Sequence, residues 1–216
     1  MFERVTRQEQ ADLFIAWMAI SISFAIINIA PYGFLYNSAP VVPLQAAIFF
    51  GIALVTVGIG FILHEMAHKF AAIHFGYWAE FRKDDFMLTA AVLMAILVGF
   101  VFAAPGATLI YSRDGAGVTR KENGIISAAG PFINLILCIP FAALFVLVGG
   151  ITALKTGSIL AAVGLAGIQI NAMIATFNML PISILDGRKV FAWSIPAFIL
   201  LIGSSVAILF GTYYLL

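Results

Sequence analysis

The stretch Leu44-QAAIFFGIALVTVGIGFILHEMAHKFAA-Ile73 decides the fold of this chain. It exceeds the roughly 20 apolar residues with which a helix crosses about 30 Å of hydrocarbon. Its ionisable residues collect near one end, in His64-Glu65-Met66-Ala67-His68 and the following Lys69. On a helix His64 and His68 leave from one face a turn apart, and Glu65 projects beside them. A charged side chain at mid-membrane costs on the order of 2.5 kcal/mol or more on insertion scales, so chance is a poor account of three such groups together.

Composition agrees with that solvent. Hydrophobic residues make up 63% of the 216-residue chain and charged residues 10%, and mean hydropathy is +1.10, far outside the soluble range. Further apolar runs cover Leu13 to Ala30, Leu88 to Ala103, Gly124 to Val148, Ile159 to Leu180 and Phe191 to Leu215. The first is too long for a typical signal-peptide core and lacks a clear small-x-small cleavage site, so it reads as a retained helix. No repeat or low-complexity tract marks a second domain, and the reading is one membrane-embedded domain over residues 1–216 with its core at 44–190. Net charge of +1 singles out no partner, and nucleic acid is not expected among them; oligomeric state is not legible. The single cysteine, Cys138, excludes disulfides and thiolate metal clusters and reads as packing.

Lysine and arginine concentrate on the cytoplasmic side of membrane proteins. If Leu88 to Ala103 enters the bilayer and returns, then Arg4, Arg7, Lys69, Arg82, Lys83, Arg113, Arg120, Lys121, Arg188 and Lys189 share one side and only Lys155 lies opposite. Lengths permit it, since about 16 helical residues rise roughly 24 Å and an extended return of 7 to 8 residues covers a similar distance. The fold class expected is therefore an all-α polytopic membrane protein. It has five to six transmembrane helices and a re-entrant helix and β-hairpin segment between the histidine helix and the next; a sixth ordinary span is the alternative. The N-terminus and the opening of the site are expected on the cytosolic side of the cell membrane.

Two imidazoles a turn apart beside a carboxylate suit zinc, which in a catalytic site keeps a position open for water and lowers that water's pKa to about 7. A third protein ligand is needed. His74 stands ten positions after His64, the interval at which metzincin-like sites place a third histidine, but those sites turn the chain at a glycine where this chain has Ala71. Without that turn His74 lies about 9 Å further along the axis than His68. Asp186 is the better candidate, since Pro181 and Gly187 interrupt the apolar pattern around it and let a side chain turn inward. On spacing alone it could equally cap a helix and pair with Arg188 or Lys189.

His64-Glu65-x-x-His68 in a membrane helix, Gly130-Pro131-x-x-Asn134 opening the next long helix, and Asn178-x-x-Pro181-x-x-x-Leu185-Asp186-Gly187 after it resemble, in order, the signatures of the site-2 protease family of intramembrane zinc metalloproteases. The resemblance spans about Ala53 to Lys189. It implies His64, His68 and Asp186 as ligands of one zinc per chain, Glu65 as catalytic base, and a transmembrane protein substrate cut near the cytosolic leaflet. By the same resemblance Asn134 and Asn178 lie near the substrate, where an amide could orient the peptide or stabilise an oxyanion; amides in membrane helices also serve as interhelical hydrogen bonds, and Gln169 and Asn171 read that way. Gly130 reads as close helix packing. The stretch Ala104 to Tyr111 reads either as an edge for strand addition to an unwound substrate or as a lid. The chain departs from the family in showing no recognisable regulatory module outside the membrane. Its alternative function is a non-proteolytic metal-binding scaffold or transporter. Against a transporter, the other acidic residues lie in the terminal segment or the charged loops.

Overall fold

The computed structural model describes residues 5–34, 40–101, 106–112 and 117–214; Arg4, Arg113, Ala104 and Pro105 of the sequence reading lie outside them. Among the described residues eight helices and two strands follow in chain order: α1 (Arg7–Ile29), α2 (Pro43–His74), β1 (Trp78–Lys83), α3 (Asp85–Val98), β2 (Gly106–Tyr111), α4 (Arg120–Leu147), α5 (Gly150–Lys155), α6 (Ile159–Asn178), α7 (Asp186–Trp193) and α8 (Ile195–Tyr214). Five of them, α1, α2, α4, α6 and α8, are long and apolar enough to cross a membrane. The chain is thus an all-α polytopic membrane protein with one small two-stranded sheet. It resolves into two compact units, residues 1–58 with 80–109 and residues 59–79 with 110–216.

In the first unit α1 is anchored at both ends. Thr6 caps it by accepting from the amide of Glu9, and Trp17 donates its indole N–H to the Leu54 carbonyl of α2 at 2.9 Å. Residues 1–12 read in sequence as a polar end, yet Glu9 and Asp12 are buried. Glu9 accepts from the Phe81 amide at 3.0 Å, Thr6 donates to Glu80, and Arg82 pairs with Glu80 at 2.9 Å and Asp12 at 3.4 Å. Hydrogen bonds to charged groups contribute about 1.5–3 kcal/mol each, so these tie the first turn of α1 to β1. At the other end, Phe34 donates to the Ile96 carbonyl at 2.7 Å. There Gly33, at φ +74°, leaves no room for a side chain, because a Cβ would stand 2.2 Å from the Leu97 carbonyl oxygen.

Helix α3 has 14 residues and rises about 21 Å, short of a span. Strand pairing shows how the chain leaves it. A Cβ on Gly106, at the start of β2, would meet the Arg82 carbonyl near the end of β1, while Ile110, near the end of β2, packs with Ala79 near the start of β1. The strands are therefore antiparallel. The strands on either side of α3 are hydrogen-bonded to each other, as a re-entrant segment requires.

In the second unit α6 packs on α4 and α8. Cys138, Phe141 and Phe145 of α4 meet Ala161, Leu165, Ile168 and Ala172 of α6, with glycines admitting the two rings. The start of α4 is fixed by a capping box between Thr119 and Glu122, and Tyr77, just past α2, donates to Glu122 at 2.8 Å. A Cβ on Gly167 would fall 2.1 Å from Phe141 Cδ1, whereas one on Gly203 would meet nothing within 4 Å. Gly167→Leu is therefore expected to lower stability in detergent by about 1–3 kcal/mol through overpacking, and Gly203→Leu to leave it unchanged. Equal denaturation midpoints for the two variants would refute this packing.

Candidate metal centre

His64 and His68 lie on α2 about 15 Å and 9 Å along the axis from its end at His74. Their rings cross at 86° with centroids 4.6 Å apart, which brings the two Nε2 atoms to 3.0 Å. Asp186, the first residue of α7, faces both: its Oδ2 stands 3.4 Å from His64 Nε2 and 3.0 Å from His68 Nε2. All three residues are buried, and among the described residues they form the only group of three or more His, Cys, Asp or Glu side chains placed to hold one metal ion.

Asp186 arrives there through an irregular connection. Met179 ends α6, Leu180 accepts from the Ile182 amide and Ile182 from the Leu185 amide. Ser183 takes φ +51°, uncommon for a non-glycine residue; Arg188 donates to its carbonyl at 3.3 Å. Gly187 lets the next helix start hard against α6, since a Cβ would fall 2.1 Å from the Met179 carbonyl oxygen. Lys189 lies 3.8 Å from Asp186 Oδ1, on the side away from the histidines.

Protonation of both imidazoles follows from their outer partners. His68 Nδ1 lies 2.8 Å from the Ile126 carbonyl, which can only accept, so Nδ1 carries the proton. His64 Nδ1 lies 2.6 Å from Asn134 Oδ1. Asn134 must present oxygen there, because its Nδ2 donates to the Gly60 carbonyl at 3.0 Å. With each Nδ1–H fixed outward, both Nε2 atoms are left facing each other and a carboxylate, so that a cation between them would receive two lone pairs and a carboxylate oxygen. Separations of 3.0–3.4 Å match the roughly 3.3 Å between ligands on a tetrahedral zinc with bonds of about 2.0–2.1 Å. Gly130 keeps that space clear, since a Cβ there would come within 2.4 Å of His68 Nε2 and 2.6 Å of His64 Nε2. The donor set fits zinc.

The remaining sequence candidates divide. Glu65 is buried on the same turn of α2 as His64. His74 is exposed at the end of α2, its ring edge-on to Phe75, and lies outside the cluster. Asn178 is half-buried and donates to the Ile174 carbonyl of its own helix at 3.0 Å. Asn134 is fully buried, with both ends of its amide on protein groups: His64 on one side, Gly60 and Asn171 on the other. Gly130 does more than bring helices together, and Lys69, counted with the charged residues of one membrane side, is fully buried. Sequence reasoning missed Asn171 and the Ile126 carbonyl as partners of the centre. Asn171 carried a signal, as an amide among apolar neighbours; a backbone carbonyl carries none.

No protein-family model matches the chain, and no solved structure matches it. It is 35% identical over 191 residues to a protein of Methanocaldococcus jannaschii named as a "Putative zinc metalloprotease", a match covering 88% of this chain and 87% of that protein. A Bacillus subtilis protein of the same printed description is 27% identical over 155 residues, covering 66% and 68% of the two chains. With its cluster of two histidines and an aspartate in a membrane fold, and at that identity and coverage, the chain belongs to the family of zinc metalloproteases that includes the Methanocaldococcus jannaschii protein.

Proposed function

We propose that this chain is an intramembrane zinc metalloprotease of the site-2 protease type, hydrolysing peptide bonds of transmembrane proteins near the cytosolic leaflet. The observation that carries the reading is the position of the donor set: His64, His68 and Asp186 converge on a helix that is itself long and apolar enough to span a membrane. Zinc held by these three residues supplies a Lewis acid that polarises the scissile carbonyl and makes water nucleophilic near neutral pH. Glu65 accepts the proton that water loses as its oxygen bonds the carbonyl carbon. As the C–N bond breaks, Glu65 returns that proton to the departing amine. Asn134 holds the His64 ring rather than the substrate, and Asn178 is the amide left to meet a peptide.

A transmembrane helix hides its amides in its own hydrogen bonds, so the substrate must unwind and pair with something before it is cut. Strand β2 is suited to that role. Its residues alternate half-buried and exposed from Gly106 to Tyr111, and among the described residues the sheet holds two strands, β1 and β2. Ile110 also packs against Ile126, whose carbonyl holds His68. The asymmetry of Lys and Arg supports a cytosolic position for this end of α2 and α4.

Three measurements test the reading. Glu65→Gln should cut turnover of transmembrane peptides by about 10²–10⁴-fold, the usual worth of general acid–base catalysis, with bound zinc unchanged. Activity persisting in a zinc-loaded variant would sink the mechanism, and an inactive wild type would favour a metal-binding scaffold. Cysteines at Gly115 and Lys155 should react with an impermeant maleimide from opposite sides, Gly115 from the cytosol; labelling from one side rejects the topology. Ile110→Pro should lower cleavage roughly tenfold at constant zinc content, the equivalent of one lost main-chain hydrogen bond at about 1–1.5 kcal/mol. Unchanged cleavage would argue against strand pairing.

A further inference from the structure

Behind His64 the hydrogen bonds continue through two more side chains. Asn134 Nδ2 has two hydrogens, one on the Gly60 carbonyl at 3.0 Å and the other on Asn171 Oδ1 at 2.9 Å. Asn171 in turn donates its own Nδ2 to the Gly167 carbonyl at 2.8 Å. His64 is 2% exposed and both asparagines 0%, so no water substitutes for any of these bonds. At both ends the direction is forced, because the Gly60 and Gly167 carbonyls can only accept. Asn171 must therefore show its oxygen to Asn134, Asn134 must show its oxygen to His64, and His64 must carry its proton on Nδ1. The approach also depends on Gly60, where a Cβ would stand 2.9 Å from Asn171 Oδ1.

We infer that Asn171 is a positioning residue of the metal centre, acting through Asn134 to hold His64 in the tautomer whose Nε2 lone pair faces the metal. It touches neither metal nor substrate. Asn134 is locked twice, by Gly60 and by Asn171, so losing Asn171 leaves one lock and losing Asn134 leaves none. Outer partners of metal-binding histidines typically change metal affinity by about 10–100-fold when removed. Asn134 belongs in that range, and Asn171 toward its lower end.

The inference rests on the reading of His64, His68 and Asp186 as a zinc centre, and a double-mutant cycle separates the two. Zinc affinity is measured by competition with a chelating indicator on the full chain in detergent, for wild type, N171L, N134L and N134L/N171L. Expected are roughly 10-fold weaker binding for N171L, up to about 100-fold for N134L, and a double variant no weaker than N134L, since sites acting through one another do not add. N171D keeps an oxygen toward Asn134 and should recover most of the N171L loss, which a purely structural role does not explain. Asn171→Ala is carried alongside, so that a leucine variant that fails to fold does not decide the outcome. An N171L or N171A affinity equal to wild type, or a loss that adds in full on N134L, overturns the relay. A wild type that binds no zinc overturns the metal centre itself.

Discussion

Two imidazole lone pairs and a carboxylate turned to one point inside a membrane span are the constraint around which the second unit is arranged. Left to themselves these groups would rotate apart or take up protons, because like poles at 3.0–3.4 Å repel strongly where the dielectric is low. The surroundings forbid rotation. His68 is held by a backbone carbonyl of α4 and His64 by an amide whose own orientation is fixed from behind. Asp186 has Lys189 near its other oxygen. Held in this way, the three donor atoms stay directed at the one point where a cation would bind.

Such a centre requires backbone to pass very close to side chains, and glycine is what permits it. At Gly130 a Cβ would occupy the space over both Nε2 atoms, and at Gly187 it would push α7, and Asp186 with it, away from the end of α6. Where membrane helices associate, small residues are usually explained by packing alone. Here the same geometry sets how closely α4 and α7 approach the histidines, so packing and chemistry share the same positions.

Much of this was legible in the chain. Length and hydropathy gave six apolar runs, five of which are helices long enough to cross a membrane. Lys and Arg asymmetry indicated that the segment after Arg82 turns back, and the antiparallel pairing of β1 with β2 gives the reason. His64 and His68 were legible because ionisable groups are costly in lipid and therefore rare, whereas Asp186 stood open between ligand and helix cap until the family resemblance implied the first. Harder to read were polar groups whose meaning depends on three-dimensional partners. Asn134 read equally as a substrate contact or an interhelical hydrogen bond, because an amide near a zinc motif has several uses, and only the Gly60 carbonyl shows which way it faces. Glu9 and Asp12 read only as acidic residues of a terminal segment because their partners on β1 stand some seventy residues later, at |i−j| of 72 and 70. Lys69 looked like surface charge although it is fully buried.

Depth explains why the centre is built from such unequal parts. The histidines sit about 9–15 Å in from the end of α2, on a helix that satisfies its own backbone and so needs only side-chain partners. Asp186 has to reach the same depth from the connection between α6 and α8, where backbone groups lack regular partners and must be satisfied one at a time. The short turns from Leu180 to Leu185, the left-handed Ser183 and the Arg188 bond to its carbonyl do this. A regular helix through that region would have carried the carboxylate past the histidines along its axis. An unsupported loop would have left bare amides in lipid. The irregular turn ending at Gly187 avoids both, and it does so at the one ligand that comes from outside α2.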